Sequence, residues 1–118
     1  MKTKAAVARV NHQPLTIEEL DLDDLRPNEV RVRMVGSGIC HTDAIVRDGV
    51  YPTPLPAVLG HEGSGVVEEI GSEVTTCAVG DHVLLGAAYC GKCSTCRSGE
   101  PTYCEFTFEQ CFGGSRPD

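Results

Sequence analysis

Apolar and polar residues alternate along much of this chain with a period of two. Val30, Val32 and Met34 are separated by Arg31 and Arg33, the pattern of a strand with one buried face. Ala5 and Val7, running into Arg9, predict a first strand. Leu15 and Ile17, then Leu20 and Leu22, predict a second, with a bulge where Glu18 and Glu19 break the phase. Residues 65–71 and 81–85 (Asp-His-Val-Leu-Leu) predict two more. One helix is predicted from Thr42 to Arg47, with Thr42 as its N-cap and Gly49 just past its end. Pro52, Pro54 and Pro56 occupy alternate positions, so the segment from Tyr51 to Pro56 is a loop. Short strands and frequent turns predict a mainly β fold, an antiparallel barrel or sandwich with short helices.

A length of 118 residues fits one domain, and 41 % hydrophobic content excludes a disordered chain. No apolar run is long enough to span a bilayer. Lys2 and Lys4 near the start are not followed by the apolar core of a signal peptide, which predicts cytoplasmic placement. The net charge is −7, from 10 Lys and Arg against 17 Asp and Glu. Nucleic-acid binders need cations to displace phosphate counterions, so neither nucleic acid nor membrane is an expected partner. The acids between Glu18 and Glu29 read as a solvated strand and turn.

The seven cysteines carry the chemistry. An odd number without a secretory signal argues against a disulfide framework and for metal or catalytic use. Cys90, Cys93, Cys96 and Cys104 form Cys-x-x-Cys-x-x-Cys-x7-Cys, with Gly91, Ser94, Ser98 and Gly99 permitting tight turns between them. Four thiolates make a closed, structural tetrahedral zinc site. Ferredoxins share the first two spacings but place a fourth Cys-Pro after three residues; here the gap is seven and no proline follows Cys104. The spacing favours zinc over an iron–sulfur cluster or unligated thiols. Lys92 and Arg97 either offset the charge of such a lobe or are simply solvated. Cys40-His41-Thr42-Asp43 and Gly60-His61-Glu62-Gly63 each set a metal-ligand residue beside a carboxylate. A catalytic zinc needs three protein ligands, so on spacing alone this pair carries little.

Gly60-His61-Glu62-x-x-Gly65-x5-Gly71-x-x-Val74 resembles the zinc signature of the zinc-containing alcohol dehydrogenases of the medium-chain dehydrogenase/reductase superfamily. Cys40-His41-Thr42-Asp43 stands where that family has its first zinc ligand, and the four-cysteine run resembles its structural-zinc lobe. The resemblance implies a GroES-like, partly open antiparallel barrel over residues 1–118, the N-terminal catalytic domain, with the zinc lobe at about 88–111. It implies that Cys40 and His61 hold a catalytic zinc and that Glu62 sits at or near it as an alternative ligand. By the same resemblance Asp43 fixes the ring of His61, Thr42 accepts the alcohol proton, and His41 faces the pyrophosphate of NAD. Ile45 stands where many relatives have a relay histidine; it carries no proton, so the relay runs through water or cofactor hydroxyls.

The family's third catalytic ligand, a Cys, and its Rossmann cofactor domain come later than Asp118. No Gly-x-Gly-x-x-Gly occurs; Gly36-Ser37-Gly38 and Gly63-Ser64-Gly65 lack the third glycine. The tail from Gly113 to Asp118 predicts a chain cut between elements, inactive alone. Residues 40–56, Ile45 and the ending Phe112-Gly113-Gly114-Ser115 resemble the aryl-alcohol branch. The implied activity is NAD-linked oxidation of a primary, benzylic alcohol by a homo-oligomer (dimer or tetramer) when full length. Tyr51 and its proline loop either border the substrate pocket or pack a rigid surface loop. The rival reading is a stand-alone zinc-stapled β-barrel, an interaction or co-chaperone-like module. Cys77, Cys111, His12 and His82 are assigned no role.

Overall fold

The computed structural model describes residues 1–113. Its strands are β1 (Lys2–Ala8), β2 (Thr16–Asp21), β3 (Val30–Ser37), β4 (Ala57–Val58), β5 (Gly63–Ile70) and β6 (His82–Leu84). Its helices are α1 (His41–Arg47), α2 (Ser94–Arg97) and α3 (Thr107–Phe112), with a 3-10 turn at Pro101–Tyr103. The strands form two three-stranded sheets, ordered β2-β1-β4 and β3-β5-β6. The β1–β4, β3–β5 and β5–β6 ladders are antiparallel, and among the described residues no ladder joins the two sheets into a closed barrel. No helix there is long and apolar enough to cross a membrane.

The chain divides into two compact units. The first comprises Met1–Lys4, Glu19–Cys40 and Gly60–Gly86; the second comprises Ala5–Glu18, His41–Leu59 and the residues from Ala87 onward. The first is built on the β3-β5-β6 sheet. In β5, Gly63, Gly65 and Val67 are buried in strict alternation, and Val67 is 1 % exposed. Arg31 and Arg33 pair with Glu69 and Glu68 on the neighbouring strand, the cross-strand arrangement that favours opposite charges. The alternation in β3 does not bury a full apolar row, however. Val30 is 37 % and Met34 48 % exposed, and only Val32 is half-buried. The β3–β5 ladder shifts between Arg31 and Val32 and again between Met34 and Gly36.

β2 runs through both Glu18 and Glu19. Glu18 accepts hydrogen bonds from Arg9 and Thr16. The Arg9 guanidinium, helped by the Thr16 hydroxyl, holds its carboxyl down at about 2.

Val7, Ala8, Val46, Ala57 and Cys104 are the buried apolar residues of the second unit. α1 begins at His41, one residue before the expected start, so Thr42 lies inside its first turn and Cys40 precedes it. Its end matches the sequence reading. Gly49 has φ +74, its N–H donates to the Val46 carbonyl, and Val50 N–H donates to that of Ile45, a Schellman closure. The turn between β1 and β2 meets the same helix end, where His12 N–H donates to the Arg47 carbonyl. α2, the 3-10 turn and α3 were not legible as periodicity, because each is six residues or fewer. Residues 114–118, which include Gly114 and Ser115 of the ending used for the aryl-alcohol resemblance, lie outside the described residues.

Candidate metal centres

The residues between Ala87 and Phe112 fold around four sulfurs. Gly91 turns at φ +69, which returns the chain so that Lys92 and Cys93 donate their N–H groups to Cys90 Sγ, at 3.4 and 3.3 Å. α2 carries Cys96, and the 3-10 turn delivers Cys104. Cys104 is buried, the other three are half-buried, and none is in a disulfide. The ligand atoms of Cys90, Cys93, Cys96 and Cys104 all lie within 4.8 Å of one another, with Cys90 Sγ and Cys96 Sγ 3.9 Å apart. A tetrahedron of sulfurs about 2.3 Å from a zinc ion has edges of about 3.8 Å, so the donor set fits that metal.

The charges fit as well. Cys90 and Phe106 donate backbone N–H groups to Cys104 Sγ, each at 3.4 Å, and the bond from Cys90 draws this thiol below its ordinary value. Thr95 Oγ1 lies 3.2 Å from Cys93 Sγ and brings it down to about 6. Burial pushes Cys96 up to about 12. Close sulfurs cannot all ionise in mutual company; a divalent cation among them lifts that conflict. Ser94 Oγ donates to Glu105 at 2.6 Å and Thr95 Oγ1 to the Tyr103 carbonyl at 2.8 Å, tying α2 to the returning chain. Sequence reading assigned Ser94 a turn role and Thr95 none. The available signal was two hydroxyl residues inside a Cys-x-x-Cys spacer.

A second group lies in the first unit. The ligand atoms of Cys40, His61 and Glu62 also fall within 4.8 Å of one another, offering sulfur, nitrogen and oxygen. Their approach depends on two glycines. Gly60, at φ +127, takes the chain into His61 through backbone that side chains rarely adopt. Gly38 donates its N–H to the Glu62 carbonyl at 3.0 Å. A Cβ at position 38 would collide with Glu62 Oε2 and lie 3.1 Å from Glu62 Cβ. The missing side chain at Gly38 is thus the space Glu62 occupies, which sequence reading did not anticipate. His61 Nε2 and Glu62 Oε1 are 4.0 Å apart, and both side chains are about half exposed. His41, Thr42 and Asp43 form the first turn of α1 and belong to the second unit.

On an antiparallel β scaffold the described residues thus offer two candidate metal-ligand sets, one of four thiols and one of sulfur, nitrogen and oxygen. The chain belongs to the Alcohol dehydrogenase GroES-like domain family, which it matches over residues 26–116. It is 43 % identical over 98 % of its length to geraniol dehydrogenase of Castellaniella defragrans. It is 44 % identical over its whole length to an S-(hydroxymethyl)glutathione dehydrogenase of Escherichia coli. Among solved structures, it resembles an alcohol dehydrogenase zinc-binding domain protein from Burkholderia ambifaria with a TM-score of 0.96 at 51 % identity, covering 100 % of this chain. Benzyl alcohol dehydrogenase from Acinetobacter calcoaceticus gives 0.95 at 47 % identity over 98 % of it. The chain spans about a third of each of these proteins, 31 or 32 % of their length.

Proposed function

We propose that this chain supplies the zinc-binding, N-terminal part of an NAD-linked alcohol dehydrogenase that oxidises a primary, benzylic alcohol to its aldehyde. The observation that carries this reading is the convergence of Cys40, His61 and Glu62 in a chain of this family. The aryl preference rests on the likeness to benzyl alcohol dehydrogenase. Cys90, Cys93, Cys96 and Cys104 would hold a structural zinc. Cys40 and His61 would hold a catalytic zinc, with Glu62 as an alternative ligand. Bound there, zinc supplies a Lewis acid that lowers the pKa of the alcohol, and the nicotinamide supplies the hydride acceptor.

The chain's own side chains do the rest. Thr42 accepts the hydroxyl proton of the substrate and passes it toward solvent. By the family resemblance, Asp43 would accept a hydrogen bond from the His61 ring and fix its tautomer. His41 faces the cofactor phosphates. Ile45, beside them, holds no proton, so the path from Thr42 continues through water or cofactor hydroxyls. The full-length protein is expected to be a cytoplasmic homo-oligomer. A stand-alone co-chaperone-like module would leave the Cys40–His61–Glu62 group without a use.

Cobalt titration of the metal-free chain tests the assignment. Two classes of site are expected, and His61→Ala should abolish only the weaker while sparing the thiolate absorption of the lobe. Uptake identical in both proteins would refute the second centre. The chain alone should not reduce NAD with benzyl alcohol; turnover would overturn the division of labour proposed here.

A further inference from the structure

We propose that Cys90 and Cys96 form a peroxide-oxidisable pair, giving the lobe two exclusive forms: four thiolates around a metal ion, or a Cys90–Cys96 disulfide that cannot hold one. Their sulfurs are 3.9 Å apart, and all seven cysteines are unbridged. A disulfide needs about 2.05 Å, so the pair must close by about 1.9 Å. Both ends can give way. Cys90 is followed by the tight turn at Gly91, and Cys96 rides on α2, a four-residue helix with no buried residue. Cys90 Sγ accepts N–H groups from Lys92 and Cys93, within its own turn, so those bonds move with it; the other two sulfurs have fixed partners of their own. Cys104 is buried beneath the N–H groups of Cys90 and Phe106, and Cys93 faces the Thr95 hydroxyl.

The chemistry balances with a hydroperoxide, ROOH, as the oxidant. One sulfur attacks the terminal oxygen: an S–O bond forms, the O–O bond breaks, and RO⁻ takes the thiol proton and leaves as ROH. The second thiol then attacks the sulfenic sulfur. The S–S bond forms, the S–O bond breaks, and the hydroxyl leaves as water with the second proton. Two thiols lose two electrons, and the peroxide gains them. Cys93 and Cys104 remain as thiols, too few to close a tetrahedral site. Metal and oxidant therefore compete for the same sulfur lone pairs. This competition depends on the lobe alone and holds whichever reaction the protein supports.

Lys92 and Arg97 provide the readout, because trypsin cutting after each separates Cys90, the Cys93/Cys96 pair and Cys104 into three peptides. The metal-free chain is treated with hydrogen peroxide, its remaining thiols are alkylated, and it is digested. The expected product is peptide 48–92 joined to peptide 93–97, with fragment ions placing the link at Cys90 and Cys96 in the wild-type chain itself. Cys96→Ser should abolish the link and Cys93→Ser should keep it. In the zinc-loaded chain the link should form about tenfold more slowly or less, since a metal-held thiolate is a poorer nucleophile. Zinc released to a colorimetric chelator should then match the disulfide one to one. Unlinked peptides, a link through Cys77, Cys93, Cys104 or Cys111, or equal rates with and without zinc would each overturn the proposal.

Discussion

Replacing Gly49 by alanine tests how firmly the end of α1 is set. Gly49 takes φ +74 and closes the Schellman motif through Val46 and Ile45. A left-handed L-residue costs about 1–2 kcal/mol. A Cβ there would also collide with the Asn11 side-chain amide, forcing a displacement worth about 0.5–1.5 kcal/mol. The lost freedom of the unfolded chain returns about 0.4–1 kcal/mol. The net loss is about 0.5–3 kcal/mol. At about 2.1 cal/mol/K per residue, 118 residues give about 0.25 kcal/mol per degree, so Tm should fall by about 2–12 °C. Circular-dichroism melts at fixed zinc concentration measure this. Gly86→Ala is the control: nothing lies within 4 Å of its Cβ and its φ is not positive, so its change should stay within about 0.5 kcal/mol. Asn11→Ala combined with Gly49→Ala should recover the collision and leave the backbone cost. A Gly49→Ala protein that melts with the wild type would refute the argument.

Two further outcomes are expected. Glu18 is held near 2 by Arg9, against an ordinary 4.5, so its stabilisation is complete above 4.5 and lost as pH falls toward 2. The Tm difference between the wild type and Glu18→Gln should shrink through that window; a constant difference would exclude the ion pair as its source. Gly38→Ala should displace Glu62 and weaken cobalt binding at the Cys40–His61–Glu62 group by about 10–100-fold, with the thiolate spectrum of the lobe unchanged. Equal binding would show that Glu62 does not need that space.

The four-cysteine lobe was legible because metal ligands three residues apart on a turning chain need only local geometry. The end of α1 was legible for the same reason, since Gly49 acts within one helical turn. The two shifts in the β3–β5 ladder were not, because they depend on pairing with a strand more than thirty residues away. Glu62 shows both cases. Its place in the His61 motif marked it as a candidate, but the space it fills belongs to Gly38, which no local pattern connects to it. The helices of the lobe were missed for a different reason: they are shaped by sulfur acceptors and by Ser94 and Thr95 rather than by a buried apolar stripe.

The two units are interleaved in sequence: the chain passes from one to the other after Lys4, Glu18, Cys40, Leu59 and Gly86. Neither can therefore be inherited, truncated or grafted as one contiguous segment. A recombination event inside residues 5–86 splits both units at once, and a ribosome has released neither until it has passed Gly86. One of those passages falls between Cys40 and His41, so the peptide bond joining a metal-ligand candidate to its neighbouring helix is also a seam of the fold. Exchange between relatives should be tolerated as a replacement of the whole domain and resisted piece by piece.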